Sequence, residues 1–140
     1  KAEVGRGKVE VGSGKAEVGR GKGGMKGDKD LKDRTKRFAL QIIRLVASLP
    51  SNRIANVVGG QVLKAGTSVG ANYREALRGR SKAEFISKIG IVEQESDESL
   101  YWLELIEESG LSKGDFIKNL IVEADELVAI FTTIGQKAKR

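Results

Sequence analysis

Apolar residues recur at every third or fourth position along most of this 140-residue chain. That spacing places apolar side chains on one face of an α-helix, whereas a strand would require strict alternation. Glycine, proline and capping residues divide the periodic region into four segments of roughly 20 to 28 residues. The pattern predicts four amphipathic helices and an all-α fold.

The first predicted helix begins near Asp28 to Asp33, where acidic side chains favour the positive end of the helix dipole, and it ends at Leu49 before Pro50. Its apolar stripe consists of Leu31, Phe38, Ile42, Leu45, Val46 and Leu49. Its basic residues lie largely opposite: Lys32, Lys36, Arg37 and Arg44. A basic face of this kind is typical of a solvated helix surface.

The second predicted helix, from Ser51 to Leu77, contains an unusual number of small residues. Its apolar stripe consists of Ile54, Val58, Val62, Ala65, Val69, Tyr73 and Ala76. Four glycines interrupt this rhythm: Gly59, Gly60, Gly66 and Gly70. Each glycine costs roughly 1 kcal/mol relative to alanine in a helix interior, so packing must offset a deficit on the order of 4 kcal/mol. Because glycine lets a neighbouring backbone approach closely, the strip predicts a tight helix contact, inside the bundle or across a subunit interface.

Helix-end signals mark the other boundaries. Gly79 is expected to end the second helix with a positive φ angle. Ser81-Lys-Ala-Glu84 forms a capping box that starts the third helix, and Gly110 ends that helix. The inner stripe of the third helix consists of Phe85, Ile89, Val92, Ser96, Leu100, Leu103 and Ile106. Ser112-Lys-Gly-Asp115 is expected to start the fourth helix in the same manner.

The fourth predicted helix has an apolar stripe wider than a coiled-coil seam. One line of residues is Phe116, Leu120, Ala124, Leu127, Phe131 and Ile134, and it is widened by Ile117, Ile121, Val128 and Ile130. Four helices joined by short loops alternate in direction, so the sequence predicts an up-down-up-down four-helix bundle. The wide stripe and the small-residue strip lead us to expect self-association.

Residues 1–27 differ in composition from the rest of the chain. They hold half of the 18 glycines, and Lys1–Lys8 recurs as Lys15–Lys22. Such a segment cannot bury a core, so we expect a flexible tail at 1–27 and the bundle domain at 28–140. Because the only methionine is Met25, residues 1–24 are interpreted as an upstream leader or remnant.

Charge and composition exclude several classes of function. The tail carries seven basic and three acidic residues, whereas residues 28–140 carry 18 and 16, so the formal charge of +6 overstates the domain's basicity. Without cysteine or histidine, disulfides and Glu-x-x-His metal centres are excluded, and no metal or cofactor is expected. With no secretory signal, membrane-spanning run, phosphate loop or nucleophile and base pair, we expect a cytoplasmic, non-catalytic protein.

A local basic cluster is the main candidate site. Arg74 and Arg78 lie one turn apart near the end of the second helix, and Arg80 and Lys82 follow in the turn. This cluster is either an ordinary charge arrangement at a helix end or a contact surface for nucleic-acid phosphates. Contacts repeated around an oligomer would gain avidity. Residues of the first helix that are expected to assist are Lys36, Arg37 and Arg44.

Polar positions on the second helix suggest a structural network. Ser68, Asn72 and Glu75 share one flank of the helix. Their expected partners on the third helix are Glu95, Ser96 and Ser99. Hydrogen bonds between the two sets would set the register of the helices.

Three motifs in order resemble a known family: Ala65–Ala76, Ser81–Ile89 and Glu98–Leu105. They closely resemble the four-helix-bundle proteins encoded in intervening sequences of bacterial 23S ribosomal RNA genes. The resemblance covers about residues 28 to 140 and implies a homopentameric, barrel-like assembly with a basic surface. Related proteins serve diversity-generating retroelements as accessory subunits that engage a reverse transcriptase and nucleic acid. The chain departs from the family in its tail and at Tyr73, where an aliphatic residue is expected.

Two functions follow as hypotheses. The first is an oligomeric protein that binds RNA or DNA through phosphates. Base-specific recognition is not expected, because Tyr73 is the sole stacking candidate near the cluster and is expected to be packed. The second is a protein-interaction scaffold, such as a reverse-transcriptase accessory subunit. In that scaffold Tyr101 and Trp102 either anchor a partner or serve a structural role at a subunit boundary.

Overall fold

The computed structural model describes residues 21–140, with side chains described for residue 27 and from residue 29 onward. This part of the chain forms α1 (Gly21–Ala47), α2 (Arg53–Leu77), α3 (Lys82–Glu108) and α4 (Asp115–Ala138). Residues 21–140 contain no strand, so the all-α prediction is confirmed for this region. Residues 1–20 of the tail predicted for residues 1–27 lie outside the described residues.

The first helix begins earlier than its acidic residues suggested. Within the described residues it runs from Gly21 rather than from near Asp28, so part of the segment that composition assigned to the tail is helical. Four of residues 21–27 are glycine, each of which costs roughly 1 kcal/mol in a helix interior, so local propensity does not explain this extension. Its end at Ala47 is followed by a turn in which Ser48 and Leu49 donate to the carbonyls of Leu45 and Val46.

The helices alternate in direction. Ile42 packs at Gly66 and Thr35 at Gly70, so α1 and α2 are antiparallel. Consecutive helices lie side by side, and α1 also meets α4 over a shorter length. Among the described residues, no Cα atom of α1 lies within 8 Å of α3 and none of α2 lies within 8 Å of α4, so each of these pairs occupies opposite corners of a four-helix bundle.

The core is formed by the stripes that the periodicity predicted. All four helices contribute fully buried side chains, among them Phe38 and Ile42 of α1, Val62 and Tyr73 of α2, Ile89 and Leu103 of α3, and Leu120 and Phe131 of α4. The rings of Tyr73 and Phe131 lie 5.3 Å apart, which confirms that Tyr73 is packed. Ile54, which the sequence assigned to the stripe of α2, is instead 65% exposed.

Three of the four glycines of α2 line its contact with α1, which we call the α1–α2 seam. A Cβ at Gly66 would lie 2.7 Å from Cγ1 of Ile42, and a Cβ at Gly70 would lie 3.0 Å from Oγ1 of Thr35. A Cβ at Gly59 would lie 3.3 Å from Leu49. The predicted tight contact is confirmed and lies inside the bundle. Gly60 has open space around it, and no contact explains it.

Two helix boundaries differ from the sequence prediction. Gly79 does not have a positive φ angle; its small size matters because a Cβ there would lie 3.1 Å from the carbonyl oxygen of Ala76. Ser112 does not cap α4, because Gly114 occupies the N-cap with φ of 103° and ψ of −169°. A capping serine requires extended backbone, whereas this conformation is accessible almost only to glycine. Gly110 does have the expected positive φ, at 83°.

The bundle itself uses most of the wide stripe of α4. Ile117 is buried, and Ile121, Val128 and Ile130 are half-buried. Phe116, which the sequence assigned to this stripe, is instead 39% exposed. Self-association stays a prediction, and packing within one chain explains most of the two features that suggested it.

Candidate nucleic-acid interface

The predicted basic cluster lies at one end of the bundle, which we call the basic end (Arg74, Arg78, Arg80 and Lys82). Arg74 and Arg78 are exposed on the last turns of α2, and Arg78 is the C-cap residue. The carbonyl end of a helix carries partial negative charge, which favours cationic side chains. The two arginines therefore lie where positive charge stabilises the end of the helix, and their guanidinium groups remain in solvent.

A short capped turn holds the other two residues of the basic end. The Glu84 backbone N–H donates to Oγ of Ser81 at 3.1 Å, which confirms the serine cap. The Glu84 carboxylate accepts from the backbone N–H of Arg80 at 2.8 Å rather than from that of Ser81. Because this carboxylate is directed at the backbone, it forms no ion pair with the guanidinium of Arg80.

The basic end also gathers residues that the sequence argument missed. The ammonium of Lys82 donates to the backbone carbonyl of Arg140 at 3.4 Å, so the last residues of the chain lie beside the α2–α3 turn. The exposed cations brought there are Lys137, Lys139 and Arg140. The connectivity of the bundle could have predicted their position, because the fourth helix of an up-down bundle ends on the same side as the second.

The basic residues of α1 lie farther from this end. Lys36 follows Thr35, whose side chain packs at Gly70, so Lys36 lies about one helical turn from the level of Arg74. Arg44 is nine positions beyond Thr35 in the opposite direction, which places it roughly 20 Å along the bundle axis from Arg74. Arg37 and Arg44 are exposed on the outward face of α1. The structure therefore groups Lys36 with the basic end and separates Arg44 from it.

The basic end brings several exposed cations together, and like most exposed lysines and arginines of the described bundle they form no ion pair. Within residues 29–140, ion pairs neutralise Lys88 through Glu75 at 2.6 Å and Lys118 through Glu107 at 2.7 Å. The pKa of Lys118 is raised by its hydrogen bond and charge interaction with Glu107. No ion pair of the described region involves Arg74, Arg78, Arg80 or Lys82. Exposed cations without carboxylate partners are available to phosphate oxygens.

The predicted polar network takes a different form in the structure. Ser68 donates to the carbonyl of Lys64 at 2.7 Å, and the Asn72 amide donates to the carbonyl of Ser68 at 2.9 Å. Both bonds are within α2, as is common for short polar side chains in helices. Glu75 alone reaches α3, through Lys88. The expected partners Ser96 and Ser99 likewise bond to carbonyls of their own helix, at Val92 and Glu95.

A charged cluster that joins α1 to α4 was also missed. Arg34 donates from Nε and Nη2 to both carboxylate oxygens of Glu123, at 2.6 and 2.8 Å, and from Nη2 to Glu126 at 2.6 Å. Burial alone would lower the pKa of Arg34, but the two carboxylates more than offset it and raise the pKa above its ordinary value. We call this the α1–α4 clasp. The available signal was an arginine between Leu31 and Phe38 in an otherwise apolar stripe.

The acidic residues of α3 have several roles. Two of them reach α4, because Glu93 accepts from Thr132 at 2.7 Å and Glu107 pairs with Lys118. Desolvation and the neighbouring charge of Glu98 raise the pKa of Glu95, while Lys64 acts in the opposite direction. Within the described part of the chain, no group of three potential metal ligands is close enough to hold a metal ion.

Tyr101 and Trp102 form an aromatic pair on α3, in which Tyr101 is exposed and Trp102 is half-buried against the core. Their rings meet edge to face at 5.2 Å and 71°, and the Trp102 indole N–H donates to Glu98 at 3.4 Å. Tyr101 is 54% exposed. No described helix combines the length and the apolar character that crossing a membrane requires.

Comparisons with known proteins agree with the architecture. Residues 28–133 match a family model described as 23S rRNA-intervening sequence protein. A crystal structure of a protein with unknown function from the S23 ribosomal protein family of Bacteroides thetaiotaomicron VPI-5482 is also similar, with 32% sequence identity and a TM-score of 0.72. That similarity covers 78% of this chain and 97% of the other. No curated protein matches the chain.

Proposed function

The chain belongs to the 23S rRNA-intervening sequence protein family, and from this premise we propose that it is a non-catalytic, oligomeric protein that binds nucleic-acid phosphates at its basic end. The family resemblance read from the sequence is confirmed. The relation to retroelement accessory proteins, the pentamer and nucleic-acid binding stay predictions. Because the similar crystal structure is of a protein with unknown function, the proposal depends on the chemistry of this chain.

The observation that carries the proposal is the group of exposed, unpaired cations at the basic end. Phosphate contacts from arginine and lysine supply most of the affinity in sequence-independent binding. The C-terminal cations Lys137 and Lys139 extend the same surface. Since Tyr73 is buried against Phe131, no aromatic side chain of this surface is available to stack on a base. We therefore expect binding that depends on salt and only weakly on sequence.

Assembly would strengthen such a surface. One basic end offers about four phosphate contacts, which corresponds to weak binding at physiological salt. In an oligomer that presents several basic ends to one nucleic-acid molecule, the second contact becomes intramolecular and the apparent affinity rises.

The test is a salt titration of binding to a labelled 20-nucleotide single-stranded RNA, a duplex RNA and a duplex DNA of the same length, measured by fluorescence anisotropy. Four phosphate contacts predict a slope of about −3.6 for log K against log salt on duplex DNA. Replacing Arg74, Arg78 and Arg80 together by glutamine should make the slope less negative by about 2.7, since three phosphate contacts are lost.

The matched control is Arg53→Gln/Lys64→Gln/Lys113→Gln, which removes the same charge from exposed positions outside the basic end. The control should retain the wild-type slope. Equal loss in both triple variants would show that net charge rather than the basic end determines binding, and an unchanged slope in the first variant would refute the site.

A scaffold function is the second candidate, and the exposed ring of Tyr101 beside the half-buried Trp102 favours it. Aromatic residues are enriched at the centres of protein interfaces. The genomic neighbourhood separates the candidates: a ribosomal RNA operon favours the first, and an adjacent reverse-transcriptase gene with a variable repeat favours a reverse-transcriptase accessory role. Purification with a reverse transcriptase, lost in Tyr101→Ser but retained in the triple variant of the basic end, would support the second.

A further inference from the structure

The net positive charge of the chain is distributed unevenly along the sequence. Residues 1–27 carry seven basic and three acidic residues, so they hold +4 of the formal +6. The stretch that leads into the bundle is the most one-sided, because residues 18–27 contain Arg20, Lys22 and Lys26 and no carboxylate. Basic segments that adjoin a folded domain often bind nucleic acid.

The fold joins this segment to the bundle at the basic end. Helices α1 and α2 are antiparallel, since Thr35 of α1 packs at Gly70 of α2. The start of α1 at Gly21 therefore lies on the side of the bundle where α2 ends at Leu77 and where the basic end is located. The excess positive charge of residues 1–27 is thus attached beside the exposed cations of the basic end and not at the opposite end of the bundle.

The first turns of α1 also extend past the helix that carries the arginines. From the level of Thr35 to its start, α1 is about 21 Å long, whereas α2 extends only about 10 Å from Gly70 to its end. The start of α1 therefore lies roughly 10 Å beyond the end of α2. This offset equals about three phosphates along one strand of duplex DNA, so a strand bound at the basic end passes close to the start of α1.

Carboxylates separate the two groups of cations along α1. Asp28, Asp30 and Asp33 follow the basic stretch, and Asp33 pairs with Lys29 at 3.6 Å. This short part of α1 is therefore close to neutral, whereas residues 18–27 and the basic end are both positive. Two positive regions joined by a short helix can bind one extended polyanion at two places.

We propose that residues 1–27 bind phosphates of the same nucleic-acid molecule that the basic end binds, so that the two regions form one bivalent site. This inference rests on the proposed function and extends its binding surface beyond the bundle. Binding at one region keeps the other at high local concentration, so two weak sets of phosphate contacts give a higher affinity than either set alone. Residues 1–27 contain no aromatic side chain that could stack on a base, so their contacts are with the backbone.

The experiment is the salt titration on the 20-base-pair duplex DNA, applied to the full chain and to the segment variant Lys15→Gln/Arg20→Gln/Lys22→Gln/Lys26→Gln. If each of the four cations contacts a phosphate, the slope of log K against log salt should become less negative by about 3.6. A change smaller than about 0.9, which is less than one contact, would overturn the inference.

The matched control preserves the charge of the segment. In Lys15→Arg/Lys22→Arg/Lys26→Arg every cation is kept, so the slope should equal that of the wild type. A control that loses as much slope as the segment variant would show that charge is not the cause and would also overturn the inference. Circular dichroism checks that every variant remains helical.

The stoichiometry of binding, measured by isothermal titration calorimetry, tests whether the two regions act on one molecule. The wild-type chain should bind at most one duplex per chain. Two duplexes per chain, one of which persists at unchanged affinity in the segment variant, would mean that the regions act separately and would overturn the bivalent site.

The triple variant of the basic end separates this inference from the proposed function. If the segment variant keeps the wild-type slope while the triple variant loses it, the inference fails and the proposed site stands. If the triple variant keeps the slope while the segment variant loses it, the proposed site fails and the bivalent site fails with it, because phosphates then bind residues 1–27 alone.

Discussion

Helix α1 contacts its two neighbours through surfaces of different chemistry. The α1–α2 seam is made by glycines that receive Ile42 and Thr35 at close range. The α1–α4 contact is shorter, and the clasp of Arg34 with Glu123 and Glu126 joins it. The first surface gains stability by dispersion and burial, which depend on shape. The second gains it by charge-assisted hydrogen bonds, whose net value is reduced by desolvation.

Because their chemistry differs, the two surfaces are expected to respond differently to substitution. The α1–α2 seam has no free volume, so it cannot accept one added methyl group without strain. The α1–α4 clasp no longer stabilises the fold when one charged partner is removed, because the remaining charges are left unpaired. The four predictions below run from the largest expected change in the free energy of unfolding to the smallest.

Gly66→Val should have the largest effect. Its Cβ would lie 2.7 Å from Cγ1 and 3.2 Å from Cβ of Ile42, close to the branch point of that side chain, which cannot move away freely. Overpacking of this kind should lower the free energy of unfolding by about 3 kcal/mol, measured by urea denaturation. A loss below about 1 kcal/mol would mean that the α1–α2 seam is looser than the distances indicate.

Arg34→Met should have the second largest effect. It leaves the Glu123 and Glu126 carboxylates adjacent and without their common partner, while their side chains are only 25% and 12% exposed. Because these groups are partly solvated, we expect a loss of about 2 kcal/mol rather than the full cost of breaking a buried ion pair.

The apolar triple variant Arg34→Met/Glu123→Met/Glu126→Met is the control for that prediction. Replacing all three charges should recover most of the stability, because it also removes the desolvated carboxylates. If the triple variant is less stable than Arg34→Met, the clasp contributes through its geometry and not only by neutralising charge.

Gly60→Ala should increase stability by about 0.5 to 1 kcal/mol, because nothing lies within 4 Å of the added Cβ and alanine favours the helix. The matched control is Gly66→Ala, the same change on the same helix. It should not stabilise the protein, because its Cβ would lie 2.7 Å from Cγ1 of Ile42. If both alanine variants have equal melting temperatures, the α1–α2 seam does not discriminate between these sites.

Glu95→Gln should have the smallest effect on the free energy of unfolding. Glu95 is an incompletely paired carboxylate, whereas Glu123 and Glu126 are paired with Arg34. Desolvation and Glu98 raise the pKa of Glu95 in the folded state, so its charged form is less favourable there than in the unfolded chain. The glutamine variant should be more stable at neutral pH by less than about 0.5 kcal/mol after solvent screening.

The sign of this effect gives the expected pH profile. The folded state binds the proton of Glu95 more tightly than the unfolded state, so the wild type loses stability as pH rises through the ordinary and the raised pKa. The advantage of the variant should therefore vanish below about pH 4, where the carboxyl is protonated in both states. A constant advantage at all pH values would assign it to packing.

Local signals in the sequence were sufficient for the helices and for most of the core. The periodic positions of Phe38, Ile89 and Phe131 identified buried residues without knowledge of their partners. The cap at Ser81 was also predictable, because it depends on residues within one turn. The cap at Gly114 was not, because its backbone conformation depends on how the chain leaves α3 and enters α4.

The candidate interface was predictable only where its residues are neighbours in the chain. Arg74 and Arg78 share a helix face by spacing alone, whereas Lys82 meets the segment of Arg140 only because α3 and α4 run in opposite directions. The polar network was expected across helices, but Ser68 and Asn72 bond within α2 because a carbonyl of the preceding turn lies nearer.

Local patterns in the sequence were enough to predict that this protein is helical, that its third helix is capped at Ser81 and that α2 meets another helix at its glycines. The contacts of Gly66 with Ile42, of Arg34 with Glu123, and of Lys82 with the segment of Arg140 became visible only in the folded bundle. The physical reason is the separation along the chain over which each interaction acts. Periodicity, capping and propensity act within a few residues, whereas packing partners and ion pairs between helices depend on the path of the whole chain.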